Sequence, residues 1–149
     1  MNNQIAGKTI IHLKRTFPFR SKPLFEAFLN PEQFRKWFSP PGFKVINVEI
    51  ASVAGGSYKC ELEKADGMKL VIRGRYEEIV VNSKICFTFE YEPDLSDIGE
   101  SKVTVSFNET GDNTEITLVQ EIYRDIPTEG RTKGWEYMFS ALEGILNNK

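Results

Sequence analysis

The sequence predicts an α+β domain in which a long C-terminal helix covers one face of an antiparallel sheet. Segments that alternate apolar and polar side chains follow one another in hairpin series, and strands joined in this way need no crossover helices. One long amphipathic stretch, residues 128–147, comes last and is the only predicted element large enough to cover an apolar sheet face. A length of 149 residues suits one domain over residues 1–149.

The first part of the chain predicts one strand and two short helices. Residues 1–7 are expected to form a loose tail, and residues 8–17 alternate like a half-buried strand. Residues 21–38 indicate two short helices, for which Ser21 and Asn30 are the expected N-caps. Two adjacent prolines then end the helical region, since proline lacks the donor that a helix needs.

Six further alternating segments predict the rest of a sheet of about six or seven strands. Gly74 lies inside the third of them and indicates a bulge or a sharp bend. The segments are residues 44–51, 57–63, 68–79, 84–91, 101–108 and 114–123.

Composition and charge narrow the class of protein. A net charge of −2 argues against nucleic acid as a partner, because phosphate neutralisation needs a basic face. We also expect no membrane span and no signal peptide, since no apolar run is long enough. Cys60 is expected to face inward and Cys86 outward, so the two should not pair, and their spacing predicts no metal site. We therefore expect a cytoplasmic protein without a cofactor.

Candidate catalytic groups are few. His12 is the only histidine and falls on the polar face of its strand, so we assign no catalytic residue and favour a non-enzymatic role. Arg15 is in phase with apolar neighbours near a strand end. It is either solvated or positioned to bind a ligand carboxylate through both guanidinium nitrogens.

The order of elements resembles the helix-grip fold of the START-like, Bet v 1-like (SRPBCC) superfamily. A set of short motifs is similar to the subfamily named for the C-terminal domain of the heat-shock-protein-90 ATPase activator. The motifs are Asn30-Pro31-Glu32 leading to Trp37-Phe38-x-Pro40, Gly55-Gly56-x-Tyr58, Gly74-x-Tyr76-x-Glu78-Ile79, Phe87-Thr88-Phe89, residues 101–105, and Gly134-Trp135. The resemblance covers about residues 8–147.

This resemblance implies a curved sheet gripping the long helix, with a cavity between them that the two short helices close at one end. A hydrophobic, aromatic or lipid-like small molecule is then the expected ligand. Gln120 is expected to orient it, because the residue alternates with apolar neighbours; the alternative is a satisfied core hydrogen-bond network. The candidate ligand-binding residues are Trp37, Phe38, Phe43, Tyr58, Tyr76, Phe87, Phe89, Gln120, Trp135, Met138, Phe139 and Leu142.

Two other functions stay open. The subfamily name suggests a co-chaperone that binds a chaperone or another protein, as a monomer or weak dimer. The likeness extends only to the C-terminal domain of that activator, however, and a shared fold does not fix a shared task. Some superfamily members are cyclases or hydrolases, which makes an enzyme of that type the third candidate.

Overall fold

An antiparallel sheet wrapped around one long helix forms most of the structure. The computed structural model describes residues 3–5, 7–92 and 99–147. In chain order the elements are β1 (Asn3–Ile5), β2 (Lys8–Phe17), α1 (Ser21–Leu29), α2 (Pro31–Trp37), β3 (Phe43–Ile50), β4 (Ser57–Lys64), β5 (Lys69–Val80), β6 (Lys84–Glu92), β7 (Ser101–Thr110), β8 (Asn113–Ile122) and α3 (Glu129–Asn147).

The sheet confirms the predicted α+β helix-grip architecture. Its order is β1-β2-β8-β7-β6-β5-β4-β3, with every neighbouring pair antiparallel. Each of the seven longer strands begins and ends within two residues of its predicted segment. None of the helices in the described ranges is long and apolar enough to cross a membrane.

The N-terminal segment differs from the expected loose tail. Within residues 1–7, Asn3–Ile5 form the short strand β1, which pairs antiparallel with the first residues of β2. A chain reversal through Gly7, at φ +70°, brings the two strands together. Glycine reaches this left-handed conformation without steric cost, so the tail can fold back as an extra edge strand.

The start of α1 also differs from the expected serine cap. Ser21 is the first helical residue, and the preceding Arg20 makes no capping hydrogen bond through its side chain. Instead the Ser21 backbone N–H and hydroxyl both donate to Glu109 Oε1, at 2.8 and 3.0 Å. These bonds lower the pKa of the Glu109 carboxyl. The second helix matches its prediction, since Asn30 Oδ1 accepts the Gln33 N–H at 3.1 Å.

An apolar face and a polar connection through Arg15 hold α3 in the concave side of the sheet. Its buried face carries Trp135, Met138, Phe139, Leu142 and Leu146. Near the C-terminal end, Arg15 on β2 donates from Nη1 to Ser140 Oγ and from Nη2 to Glu143 Oε1, both at 2.9 Å. Arg15 is therefore neither freely solvated nor open to a ligand, because a carboxylate of α3 already occupies it.

Gly74 lets β5 pass close to its neighbours. A Cβ at this position would lie 1.9 Å from the Thr88 carbonyl oxygen and 2.8 Å from Tyr58 Cε1. The same carbonyl accepts a hydrogen bond from the Tyr58 hydroxyl at 2.8 Å. The glycine thus gives the buried tyrosine access to a backbone acceptor on β6.

Substitution of Gly74 by alanine should destabilise the protein by ~3 kcal/mol, the upper end of the usual range for overpacking. The added methyl group must displace the Thr88 backbone on β6 and the ring of Tyr58. Urea denaturation followed by circular dichroism measures the change.

Gly144→Ala is the matched control, because a Cβ there meets no atom within 4 Å. This change lies on the exposed side of α3 and should stabilise the protein by roughly 0.5–1 kcal/mol. Equal stabilities for Gly74→Ala and the unmodified chain would show that the close approach is not constraining.

Candidate functional site

The aromatic residues of the second helix belong to the core. Trp37 and Phe38 are 1% and 0% exposed, and the Phe34 ring stacks on Phe38 with ring centroids 4.2 Å apart. The indole Nε1–H of Trp37 donates to the Ala27 carbonyl oxygen at 2.9 Å, which satisfies its polar atom inside the protein. These rings therefore fill the end of the sheet–helix interior that α1 and α2 cover.

The tyrosines that were expected to face inward also lie in packed surroundings. Tyr58 and Tyr76 are each 3% exposed, and their ring centroids are 5.6 Å apart. A cavity of only about 10 Å³ remains among them, lined by Phe28, Phe34, Tyr58, Tyr76, Ile85 and Phe87. A volume of this size is near the minimum for one water molecule, so this part of the interior has no room for a ligand.

A larger cleft opens beside the N-terminal half of α3. Its volume is about 270 Å³, and it lies between α3, the loop after α2 and the sheet. The lining residues are Pro40, Pro41, Ile72, Tyr91, Gln120, Gly130, Arg131, Gly134, Trp135 and Met138.

Two glycines on α3 explain why the cleft is not filled. Every fourth residue along this side of the helix, from 130 to 146, reads Gly130, Gly134, Met138, Leu142 and Leu146. Residues four apart lie on the same side of a helix. The two leucines and the methionine are buried, whereas a Cβ at either glycine would meet no atom within 4 Å. The missing side chains leave the gap.

A chain of buried hydrogen bonds forms the polar part of the cleft wall. Trp135 Nε1–H donates to Gln120 Oε1 at 2.9 Å, and Gln120 Nε2–H donates to Ser101 Oγ at 2.9 Å. The Ser101 hydroxyl in turn donates to the Phe89 carbonyl oxygen at 3.0 Å. Gln120 therefore belongs to a hydrogen-bond network of the core and also lines the cleft. A glutamine amide has four hydrogen-bonding positions, of which the bonds to Trp135 and Ser101 use two.

Tyr91 and Arg131 face the cleft from opposite walls. Tyr91 pairs with Ile72 in the sheet, and Arg131 lies in the first turn of α3. Burial raises the pKa of the Tyr91 phenol, and the positive charge of Arg131 partly offsets that rise. Tyr91 is consequently a neutral hydroxyl near pH 7, able to donate or accept a hydrogen bond.

The structure divides the twelve candidate residues into two groups. Gln120, Trp135 and Met138 line the cleft. Trp135 and Met138 also belong to the core cluster. The other nine contribute to the core or pack against it without lining the cleft, and are Trp37, Phe38, Phe43, Tyr58, Tyr76, Phe87, Phe89, Phe139 and Leu142. The candidate list does not include the other seven lining residues, although the glycines at helical spacing before Met138 were a usable signal.

Histidine and cysteine lie where the patterns predict them. His12 is exposed on β2. Cys60 and Cys86 are both free; Cys60 belongs to the core cluster and Cys86 lies on the other face of the sheet, near Thr104. Burial raises the pKa of the Cys60 thiol to about 12, so the thiol stays protonated and poorly nucleophilic at neutral pH.

Comparison with known families places the chain in one of them. The profile of the family described as "Activator of Hsp90 ATPase homolog 1-like protein" matches residues 19–147. The chain therefore belongs to this family, which confirms the subfamily that its motifs resemble. No curated protein matches the sequence.

Solved structures share the fold over nearly the whole chain. A protein from Chromobacterium violaceum is 28% identical with a TM-score of 0.82, over 95% of this chain and 97% of that one. A Rhodobacter sphaeroides protein is 15% identical with a TM-score of 0.84, over 98% and 95% of the two chains. An AHSA1-like protein from Aeromonas hydrophila is 13% identical with a TM-score of 0.79, over 93% and 92%.

The hydrogen bond between Trp135 and Gln120 can be tested by a double-mutant cycle. Gln120→Leu should lower the free energy of unfolding by about 1–3 kcal/mol, because Trp135 Nε1–H loses its acceptor. Trp135→Phe in the Gln120→Leu background should then cost less than it costs alone. We expect a coupling energy of about 0.5–3 kcal/mol from urea denaturation of the four proteins. Strictly additive costs would contradict the hydrogen bond.

The stability of the protein at alkaline pH tests whether burial raises the pKa of the tyrosine phenols. Burial raises the pKa of Tyr58 and Tyr76 well above their ordinary value of 10.0. Above pH 10 the unfolded chain ionises while the folded chain stays neutral, so the stability conferred by the neutral phenols falls as pH rises. Each group should contribute ~1.4 kcal/mol per pH unit to this loss.

Tyr76→Phe should therefore reduce the slope of unfolding free energy against pH between pH 10 and 11. Between pH 6 and 8 the free energies of unfolding of the variant and the unmodified protein should differ by a constant amount. This range serves as the internal control. Parallel profiles above pH 10 would show that Tyr76 ionises as readily in the folded protein as in the unfolded one.

Proposed function

We propose that this protein binds a small apolar molecule, with an aromatic or alicyclic body, in the cleft between α3 and the sheet. The observation that carries the proposal is the gap beside Gly130 and Gly134, which continues along the helix side that buries Met138 and Leu142. A purely structural helix would be stabilised by larger side chains at these positions. Glycine inside a helix costs roughly 0.5–1 kcal/mol relative to alanine, which is consistent with a functional reason for the gap.

The composition of the cleft wall supports a ligand of this type. Trp135, Met138 and Ile72 supply apolar surface, while Gln120 and Tyr91 offer a few polar contacts. Small-molecule sites commonly combine a mainly apolar lining with a small number of polar groups that fix orientation. Methionine adds a flexible surface that can adjust to the shape of a ligand.

The size of the cleft favours a compound of one or two rings over a long lipid. Its volume of about 270 Å³ lies just below the usual lower end of ligand pockets, about 300 Å³. The cavity implied by the family fold would have been lined by all twelve candidate residues. The proposed site is smaller because nine of those residues do not line it.

Filling the gap should abolish binding. Gly134→Leu places a side chain in the cleft without straining the helix, because nothing lies within 4 Å of its Cβ. The neutral fluorescent probe N-phenyl-1-naphthylamine should bind the unmodified protein and bind Gly134→Leu at least ten-fold more weakly. Fluorescence titration gives both dissociation constants.

Gly144→Leu is the matched control, since it makes the same change on the exposed side of the same helix. This variant should bind the probe as the unmodified protein does. Equal binding by all three proteins, or no binding by any, would contradict the cleft as the ligand site. Native mass spectrometry of freshly purified protein, beside a denatured control, would reveal a ligand carried from the cell.

Activation of a chaperone ATPase is a second candidate, which the family description favours. It predicts that the purified chain raises the ATPase rate of heat-shock protein 90. An unchanged rate would exclude this role. The Gly134→Leu variant separates the two candidates, because filling the cleft removes ligand binding and leaves the outer surface intact.

A further inference from the structure

We infer that the ligand of the cleft carries an anionic oxygen group, such as a carboxylate, which binds to the guanidinium of Arg131. This inference rests on the proposed function and specifies the class of ligand. It starts from the charge distribution of the cleft wall. Among the lining residues in the described part of the chain, Arg131 is the one with a charged side chain.

The guanidinium of Arg131 has unused hydrogen-bonding capacity inside the protein. Its Nε atom is buried and makes no hydrogen bond within the described residues. Among the residues that the structure describes, its Nη1 donates one long bond, 3.4 Å, to the Pro127 carbonyl oxygen. A buried donor without an acceptor is destabilising, and a carboxylate bound to the guanidinium would offer Nε an oxygen acceptor.

The geometry of arginine suits an anion with two oxygens. Guanidinium groups bind carboxylates through two parallel N–H···O bonds, which fixes the orientation of the bound group. The Tyr91 hydroxyl on the opposite wall can donate a further hydrogen bond, since a phenol is protonated at neutral pH. The apolar body of the ligand would then rest on Trp135 and Met138.

The charged residues next to Arg131 on α3 are not positioned to bind the anion. Glu129 and Lys133 form an ion pair at 3.2 Å, with side chains 83% and 70% exposed. Neither residue lines the cleft. Lys133 thus provides a matched control, because its loss removes one positive charge from the same helix without changing the cleft wall.

The test compares two fluorescent probes that differ by one anionic group. 8-Anilino-1-naphthalenesulfonate carries a sulfonate, and N-phenyl-1-naphthylamine is its neutral counterpart. In Arg131→Gln the sulfonate probe should bind at least ten-fold more weakly than in the unmodified protein, while binding of the neutral probe changes by less than three-fold. Lys133→Gln should change the binding of either probe by less than three-fold.

The outcomes separate this inference from the proposed function. A sulfonate probe that binds Arg131→Gln as tightly as the unmodified protein, or that binds neither, would overturn the anion site. Equal weakening of both probes would also overturn it, because Arg131 would then act only through packing. A neutral probe that fails to bind the unmodified protein would count against the proposed function itself. Arg131→Lys provides a second variant, in which retained charge should preserve part of the affinity for the sulfonate probe.

Discussion

The hydrogen bond from Trp135 to Gln120 fixes where the long helix meets the sheet, and the cleft depends on that position. The bond joins the N-terminal half of α3 to β8, an interior strand of the sheet, and it continues through Ser101 to the backbone of β6. Buried polar groups are costly unless they are paired, so the network favours one placement of the helix over others. At the other end of α3, Arg15 holds Ser140 and Glu143.

Between these two connections, side-chain size decides which part of the interior is filled. Leu142 and Leu146 occupy the concave face of the sheet, and the aromatic rings from α2 fill the space under the short helices. Toward the start of α3 the same side of the helix carries glycine. The Trp135–Gln120 bond fixes the distance between helix and sheet, and Pro40 in the loop after α2 lines the gap that remains. The fold positions the helix over the sheet, and the cleft lies where Gly130 and Gly134 carry no side chain.

The fold could be predicted from the sequence because its signals are local. Alternation predicted the seven longer strands, and Asn30 at a helix start is a local signal that the structure confirms. Apart from β1, which pairs with the neighbouring β2, the misses involve partners far away in the chain. Glu109 caps the helix that begins at Ser21 across 88 positions, and Glu143 occupies Arg15 across 128. No local pattern identifies such pairs, since both depend on how the sheet brings the elements together.

The candidate site was harder to predict for the same physical reason. The alternation of side chains along a strand shows which residues face inward. It does not show whether the interior that they face is filled or hollow. Tyr58 and Tyr76 face inward as expected, yet they pack around a cavity too small for a ligand. Volume depends on the curvature of the sheet and the position of the helix. Gly130 and Gly134 were visible as small residues at helical spacing, and their importance follows only once Met138 and Leu142 are known to be buried.

The two tryptophans allow one direct measurement of where a ligand binds. The Trp135 indole N–H lies in the cleft wall, whereas the Trp37 indole N–H is bonded to Ala27 in the core. In a ¹⁵N-resolved NMR titration with N-phenyl-1-naphthylamine, we expect the Trp135 indole signal to shift while the Trp37 signal stays in place. Equal shifts of both signals would place the ligand in the aromatic interior. No shift of the Trp135 signal would contradict the cleft as the binding site.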